Sequence, residues 1–486
     1  MNMDTITQDA ISKDDSSLLA TIVEFCRQGK MAESTFGRRS VNDGKFVSRL
    51  RAGSRVTPET WEKVTTFITA NGGVIPAGVD SDSMYLMSRE GSELASQQPD
   101  TVAESETDAD NSKASNFRFF DNRQKYLLFI NTCNEKDKIA ERIGQELVNL
   151  KPSPPAIRVF DAGIGDGTVL TRVLRQMHCR YPTMPFYVSG KEVSLEDVRL
   201  TLAKVADRVF EHPATVLVFT NMYYSEAPWL TPGNEEMANS VVWKEVALSG
   251  NTAFEFDEQI KSIDEFLVEN WQAKHSPRTG NPIYERPSVL VIYREDYRFL
   301  LDDVIPKPGP QRADFDLVIA SQPYRSRMSA QFKVEKVVAP LTRALAKGGK
   351  LLGIHSYGND PGLKIIRRVW PGEKPFMASR HDILNALKEE LGDEARDFQY
   401  SANSDDRAVF SYEMHALPTE ISTSIGTSTL FAAWNAAVYV AQIEDDRLNE
   451  AMASGEYLKA TQETLNEYGG LWFNDETYVV TRKTRG

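Results

Sequence analysis

The stretch Val159 to Leu170, VFDAGIGDGTVL, sets three glycines and two aspartates directly behind an apolar run. Upstream, Ile157, Val159 and Phe160 lie between prolines and glycines and predict a buried parallel strand. Downstream, TVLTRVLRQM carries apolar residues at helical spacing, so the order is strand, glycine turn, helix. Such a junction aims free backbone N–H groups and the positive end of a helix dipole at a ligand, and glycine lets that ligand approach the main chain. A dinucleotide fingerprint, G-x-G-x-x-G, uses its third glycine for close helix packing and seats a pyrophosphate on the helix N-terminus. Here the third glycine comes one residue early, at Gly167, with Thr168 where that fingerprint wants glycine. A pyrophosphate suits this spacing poorly.

The form D-x-G-x-G-x-G, with Asp161, Gly163, Gly165 and Gly167 in its fixed positions, resembles motif I of the class I S-adenosylmethionine-dependent methyltransferases. The following elements keep that family's order. MPFYVSGKEVSLEDVRLTLAKV predicts a second strand ending at Glu192 and a helix beginning near Ser194, and HPATVLVFT a third strand ending at Thr220 and Asn221. DFDLVIASQPY predicts a fourth strand, and VEKVVAPLTRALAKGGKLLGIHSYG a helix, a Gly-Gly turn and a fifth strand. RAVFSYEMHALP and ETYVVTRK predict an antiparallel sixth and seventh strand. The resemblance covers roughly residues 117 to 483 and implies an α/β, Rossmann-like domain with a seven-stranded sheet and an antiparallel last strand. It implies S-adenosyl-L-methionine as cofactor, bound at Asp161, Gly163, Gly165 and Gly167, with Glu192 accepting the ribose hydroxyls. Asn221 stands where the family usually has an adenine-contacting aspartate, and Ser321 ends the fourth strand beside the cofactor. The segments RQKYLLFINTCNEKDKIAERIGQELVNL and RYPTMPFYVSGKEVS look most like small-molecule methyltransferases of the histamine N-methyltransferase type.

Ser321-Gln322-Pro323-Tyr324 bears on the methyl acceptor. In enzymes that methylate base amino groups the family loop is Asp/Asn/Ser-Pro-Pro-Tyr/Phe, whose oxygens grip the target NH₂ while the ring stacks on a flipped base. Gln322 replaces the first proline and removes the rigid turn, whereas Ala320-Ser321-Gln322 is close to the Ala-Ser-His of small-molecule members. A hydroxyl acceptor needs a base, and His355, just after the fifth strand, and Tyr324 or Tyr357 are the candidates. Two insertions, about 231–311 and 420–470, interrupt a minimal domain; pieces of this kind cover an acceptor pocket or form a homodimer surface. Within the second, core packing is the expected role of Phe431, Trp434 and Tyr439, with an acceptor wall as the alternative.

The 486 residues are too many for one average domain. From about 80 to 115 the chain is rich in Ser, Asp, Glu, Gln and Thr and cannot repay its ordering entropy, so a disordered acidic linker is expected between a small unit and the domain at 116–486. Residues 16–72 predict four short helices that resemble the helix-turn-helix of phage-repressor-like DNA-binding domains. Between Lys30 and Lys63 eight Lys or Arg stand against four acidic residues, so Arg38, Arg39, Lys45, Arg49 and Arg51 are candidate DNA contacts in a protein of net charge −13. The polar start MNMDTITQDAISKDD resembles neither signal nor transit peptide, and no run of eighteen apolar residues occurs, so a cytoplasmic protein without membrane attachment is expected. Cys26, Cys133 and Cys179 are isolated and lack metal-ligand spacing, which predicts free thiols and no metal site. Three activities remain open: methyl transfer to nitrogen or oxygen of a small molecule, DNA amino-methylation through Ser321 to Tyr324, and cofactor sensing by a transcriptional regulator.

Overall fold

The computed structural model describes residues 18–71 apart from 20, 24, 28, 30, 42 and 52–57, and then 123–276, 282–415 and 426–484. The predicted linker at 80–115 lies outside the described residues. Two compact units divide at Thr107 and Asp108.

In the small unit, helical residues within 18–27 precede the helices Glu33–Val41, Phe46–Arg51 and Pro58–Ala70. Their apolar residues meet in one core: Leu18, Ile22, Phe36, Val47, Leu50, Val64 and Ile68 are buried. Phe36 sits edge-on between Phe25 and Phe67, at 5.8 and 5.5 Å between ring centroids. The turn between the second and third of these helical segments is tight, since a Cβ on Gly37 would stand 2.2 Å from the Asp43 carbonyl oxygen. Of the basic residues, Arg51 pairs with Glu33 at 2.6 Å, and Arg38 lies across Gly44, 2.9 Å from where a Cβ would stand.

Among the described residues the large unit has twelve strands: β1 (Ile157–Asp161), β2 (Phe186–Lys191), β3 (Thr215–Thr220), β4 (Val242–Leu248), β5 (Ala273–His275), β6 (Pro282–Tyr284), β7 (Ser288–Arg294), β8 (Phe315–Ser321), β9 (Leu345–Ser356), β10 (Phe398–Ser401), β11 (Val409–Glu413) and β12 (Trp472–Arg482). Apart from the small β5–β6 hairpin they form one sheet in the order β10-β12-β9-β8-β1-β2-β3-β7-β4, with β11 also on β12. The five neighbours β3, β2, β1, β8 and β9 are parallel, and β12 runs antiparallel to β9, as expected of the Rossmann-like domain. The connections explain the burial. Each parallel pair needs a helical crossover, so both faces of the central strands are covered and β1, β3 and β8 are apolar almost throughout. One face packs on Ile139, Ile143, Val173 and Leu174, the other on Val337, Leu341, Ile383 and Leu387.

Three features depart from expectation. The first insertion extends the sheet: β7 pairs antiparallel with β3, and β4 lies parallel beside β7. The Gly-Gly pair does not end a helix but lies inside β9, where Gly348 takes φ 82° and the register against β8 shifts between Phe315 and Leu317. The sixth strand is split, with β10 and β11 both antiparallel to β12 and the short helix Asp405–Ala408 between them, whereas sequence periodicity predicts only β11. The second insertion forms the helices Thr427–Val440, Asp445–Ser454 and Glu456–Tyr468. Trp434 is buried there against Trp370 and Tyr457, while Phe431 is exposed. No described helix is long and apolar enough to cross a membrane.

Ile319 is fully buried at the centre of β8, between β1 and β9. Ile319→Ala is predicted to cost about 2–5 kcal/mol in urea unfolding; a loss below 1 kcal/mol on the order of surface substitutions would contradict this placement.

Candidate functional site

The C-terminal ends of β1, β2 and β8 meet at the glycine turn. Asp161 closes β1, is buried, and accepts the Gly163 N–H on Oδ1 at 3.1 Å. Glu192 follows β2; its Oε2 accepts the Gly165 N–H at 2.9 Å and its Oε1 the Ser194 N–H at 2.8 Å. One carboxylate thus ties the turn to the cap of the helix Leu195–Leu202, where Ser194 Oγ accepts the Asp197 N–H. The main chain of Glu192 is also fixed, donating to Thr220 O at 2.9 Å and accepting the Trp271 indole N–H at 2.8 Å. Trp271, wholly buried, comes from the first insertion.

The three glycines differ. Gly167 has φ 76°, and a Cβ there would stand 2.7 Å from Thr201 Oγ1 and 2.9 Å from Thr201 Cα. Gly165 has φ 56°, with Tyr126 Oη 3.4 Å from its would-be Cβ. Both are required by the turn itself. Gly163 is exposed and not left-handed, and a Cβ there would meet no atom within 4 Å.

Charge is concentrated around the turn. Burial raises the Asp166 carboxyl, but the Lys136 and Lys204 ammonium groups and the Thr168 hydroxyl outweigh it and hold the group well below the usual range. Lys136 pairs with Asp166 and donates to Tyr126 Oη at 2.8 Å, while Lys204 reaches Asp166 Oδ2 at 2.7 Å. Burial pushes Asp161 up to about 6, with the Gly163 N–H opposing and Glu192 adding to it. Glu192 is raised by burial and then by Asp197.

The other expected residues stand at or just after the ends of β3, β8 and β9. Asn221 is buried at the end of β3, its Nδ2 donating to Arg286 O at 2.9 Å and its Oδ1 accepting the Ser288 N–H at 2.8 Å. Its amide therefore locks β3 to the start of β7. Ser321 is half-buried and in register with Ile354 of β9. Tyr324 and His355 come together, Oη to Nδ1 at 3.0 Å, and the other imidazole nitrogen meets Glu476 Oε1 at 2.9 Å. Arg380 donates to both Glu476 oxygens, at 2.8 Å from its backbone and 2.6 Å from its guanidinium. An ionised carboxylate only accepts, so Nε2 carries the imidazole proton, Nδ1 accepts, and Tyr324 donates to it. Burial lowers the His355 pKa and raises that of the Tyr324 phenol well above its ordinary value. Lys333 Nζ lies 4.9 Å from the Tyr324 ring centroid. Both nitrogens of His355 are thus engaged, and the phenol is neutral and turned inward.

Tyr126, Lys136, Lys204 and Trp271 carry no local sequence signal for this site. They lie 29 to 106 positions from Gly165 in the chain, and only the tertiary arrangement brings them to it.

No family model matches the chain, and no curated protein matches it. Among solved structures, it is similar to mycolic acid cyclopropane synthase CmaA1 complexed with SAH and CTAB, at 12% identity over 74% of this chain and 94% of that one, with TM-score 0.28. Geranyl diphosphate methyltransferase in complex with SAM is similar at 11% identity over 71% of this chain and 85% of that one, TM-score 0.27. The cyclopropane synthase MmaA2 from Mycobacterium tuberculosis is similar at 12% identity over 71% and 83%, TM-score 0.26. Likenesses of this depth assign neither substrate nor activity.

Asp166 has a depressed folded pKa, so its stabilising contribution is present above its unfolded value near 4 and is lost as pH falls through the folded value. Asp166→Asn should melt below the wild type at pH 7, with the gap narrowing progressively as pH falls below about 4 in calorimetry. Asn221→Ala leaves the Ser288 N–H without its acceptor and should cost about 1–3 kcal/mol in denaturant unfolding.

Proposed function

We propose that the large unit binds S-adenosylmethionine at the glycine turn and transfers its methyl group to nitrogen or oxygen of a small molecule. The observation that carries this reading is Gly163. Packing and backbone angle account for Gly165 and Gly167, whereas a side chain at 163 would enter open space beside two carboxylates. A glycine that the fold does not need, at the start of a helix and next to acceptors for sugar hydroxyls, fits a nucleoside lying against the main chain. Asp161, Gly163, Gly165 and Gly167 would hold the cofactor, with Ser321 at the neighbouring strand end. Each Glu192 oxygen keeps a lone pair free of the turn for a ribose hydroxyl. The cofactor supplies a methyl group activated on a sulfonium.

The chain's contribution is placement, of order 7–11 kcal/mol for well-oriented reactants. Neither Tyr324 nor His355 is free to take a proton, so both serve as a rigid wall beneath the strand ends. An acceptor that arrives as a neutral amine needs no base there. The Tyr324 ring is half-buried, with Lys333 over it, which disfavours stacking on a flipped DNA base. The acceptor we favour is a small molecule, and the basic segment 30–63 of the small unit is a separate candidate for DNA contact.

Calorimetry with S-adenosylhomocysteine tests the turn. Gly163→Ala should fold within about 0.5 kcal/mol of the wild type and lose about tenfold or more in affinity. Unchanged affinity would sink the reading. Tritiated cofactor offered with a metabolite extract or with DNA then identifies the acceptor class, and label in DNA would overturn the small-molecule assignment.

A further inference from the structure

Asp475 is a buried carboxylate with half its hydrogen-bonding capacity unmet. It lies on β12 in register with Ser356 of β9 and is wholly buried. Its Oδ1 accepts the Gln322 amide N–H at 3.2 Å, and the same amide reaches Ser356 Oγ at 3.2 Å. Oδ2 is buried with no hydrogen-bond partner. Gln322 holds this posture at φ 47°, a left-handed conformation that costs a residue other than glycine about 1–3 kcal/mol and gathers at functional sites.

A second orphan faces the same place. Tyr412 on β11 pairs with Phe473, two residues before Asp475, so the two side chains share one face of the sheet. The Tyr412 hydroxyl is also buried with no partner, and the charges it feels are those of Asp475, Glu135, Cys133 and Asp360. Asp360 is already occupied as the cap of the helix Pro361–Val369, accepting the Leu363 and Asn474 N–H groups. Glu135 begins the helix Glu135–Leu147, one residue before the Lys136 that closes the glycine turn. Burial raises its carboxyl to about 7, with Lys136 opposing. The rings of Tyr412, Phe129, Tyr439 and Tyr126 form a continuous wall, with centroids 6.1, 4.8 and 6.0 Å apart, from Asp475 to the residue that abuts Gly165.

We propose that Asp475, Glu135 and the Tyr412 hydroxyl seat a protonated amine, which is the methyl-accepting nitrogen of a small cationic substrate. This rests on the transferase reading above. Burial, with Glu135 adding to it, holds the Asp475 carboxyl well above its ordinary pKa, and an ammonium supplies three donors and the opposite charge that lets it ionise. The proton balance also fits. The bound R–NH₃⁺ gives one proton to a carboxylate of the pair, which becomes the carboxylic acid, and the N–H electron pair stays on nitrogen as the lone pair that methylation consumes.

The test uses the full chain with methyl-tritiated S-adenosylmethionine and a metabolite extract, the products being passed over a cation exchanger at pH 7. Labelled product should be retained, and its yield should fall about tenfold or more in Asp475→Asn and several-fold in Tyr412→Phe. Both variants should bind S-adenosylhomocysteine as the wild type does, and Asp475→Asn, which puts a neutral amide of the same shape where burial already holds the carboxyl well above its ordinary pKa, should melt no lower. Tyr412→Phe, which removes only the hydroxyl, carries the same reading if Asp475 proves necessary for folding. Labelled product that runs through as a neutral or an anion overturns the seat while leaving the transferase standing. Wild-type yield in both variants does the same, and weakened S-adenosylhomocysteine binding reassigns the carboxylate to the cofactor. Absence of label in every fraction removes the transferase reading and this one together.

Discussion

The bond from the Gly165 N–H to the Glu192 carboxylate holds the architecture of the site together. It joins the end of β2 to the turn that follows β1, and the same carboxylate caps the next helix through Ser194. A charged acceptor can serve there because burial is offset by two backbone donors and by Trp271 fixing the adjacent peptide. The clamp forms only if β1 and β2 are paired in register and if β3 supports Glu192 from the other side, so the turn's shape reports on the whole parallel core. Lys136 and Lys204 then close the turn through Asp166.

The sequence reading was strongest where local chemistry and tertiary structure agree. Strands β1, β2, β3 and β8 are short apolar runs with glycine or polar ends, and the structure has them in that order. The Gly163 to Gly167 turn and the adjoining Glu192 were legible because a left-handed residue and a close approach both demand glycine at set spacing. Asn221 was misleading: its place at a strand end suggested a ligand, but the first insertion returns as β7 and uses the amide to splice two strands. Nothing local in PSVLVIYR distinguishes a sheet-extending strand from a covering one. The split sixth strand was half visible, because β10 has only four residues and owes its form to pairing with β12.

Tyr324 and His355 illustrate a different gap. Their residue types and positions at strand ends suggested proton transfer, and the structure does bring them into contact. What sequence could not supply is the third partner, Glu476, more than a hundred residues on, which Arg380 neutralises in the interior. A histidine held between a carboxylate and a phenol is a stiff strut. Removing any one member would leave the others as buried unpaired polar groups, so such a network specifies the packing of the helix Arg380–Leu391 more than it adds to stability.

Consecutive residues of β12 point to opposite faces of the sheet, and here the alternation separates two carboxylates of opposite character. Glu476 meets His355 and Arg380 on one side, while Asp475 lies beside Ser356 on the other. A slip of this hairpin-like pairing by a single position would exchange them, stranding the guanidinium without its counter-ion. Length changes within Trp472–Arg482 are therefore forbidden to descendants of this chain, and drift in size must be absorbed by the connections on either side.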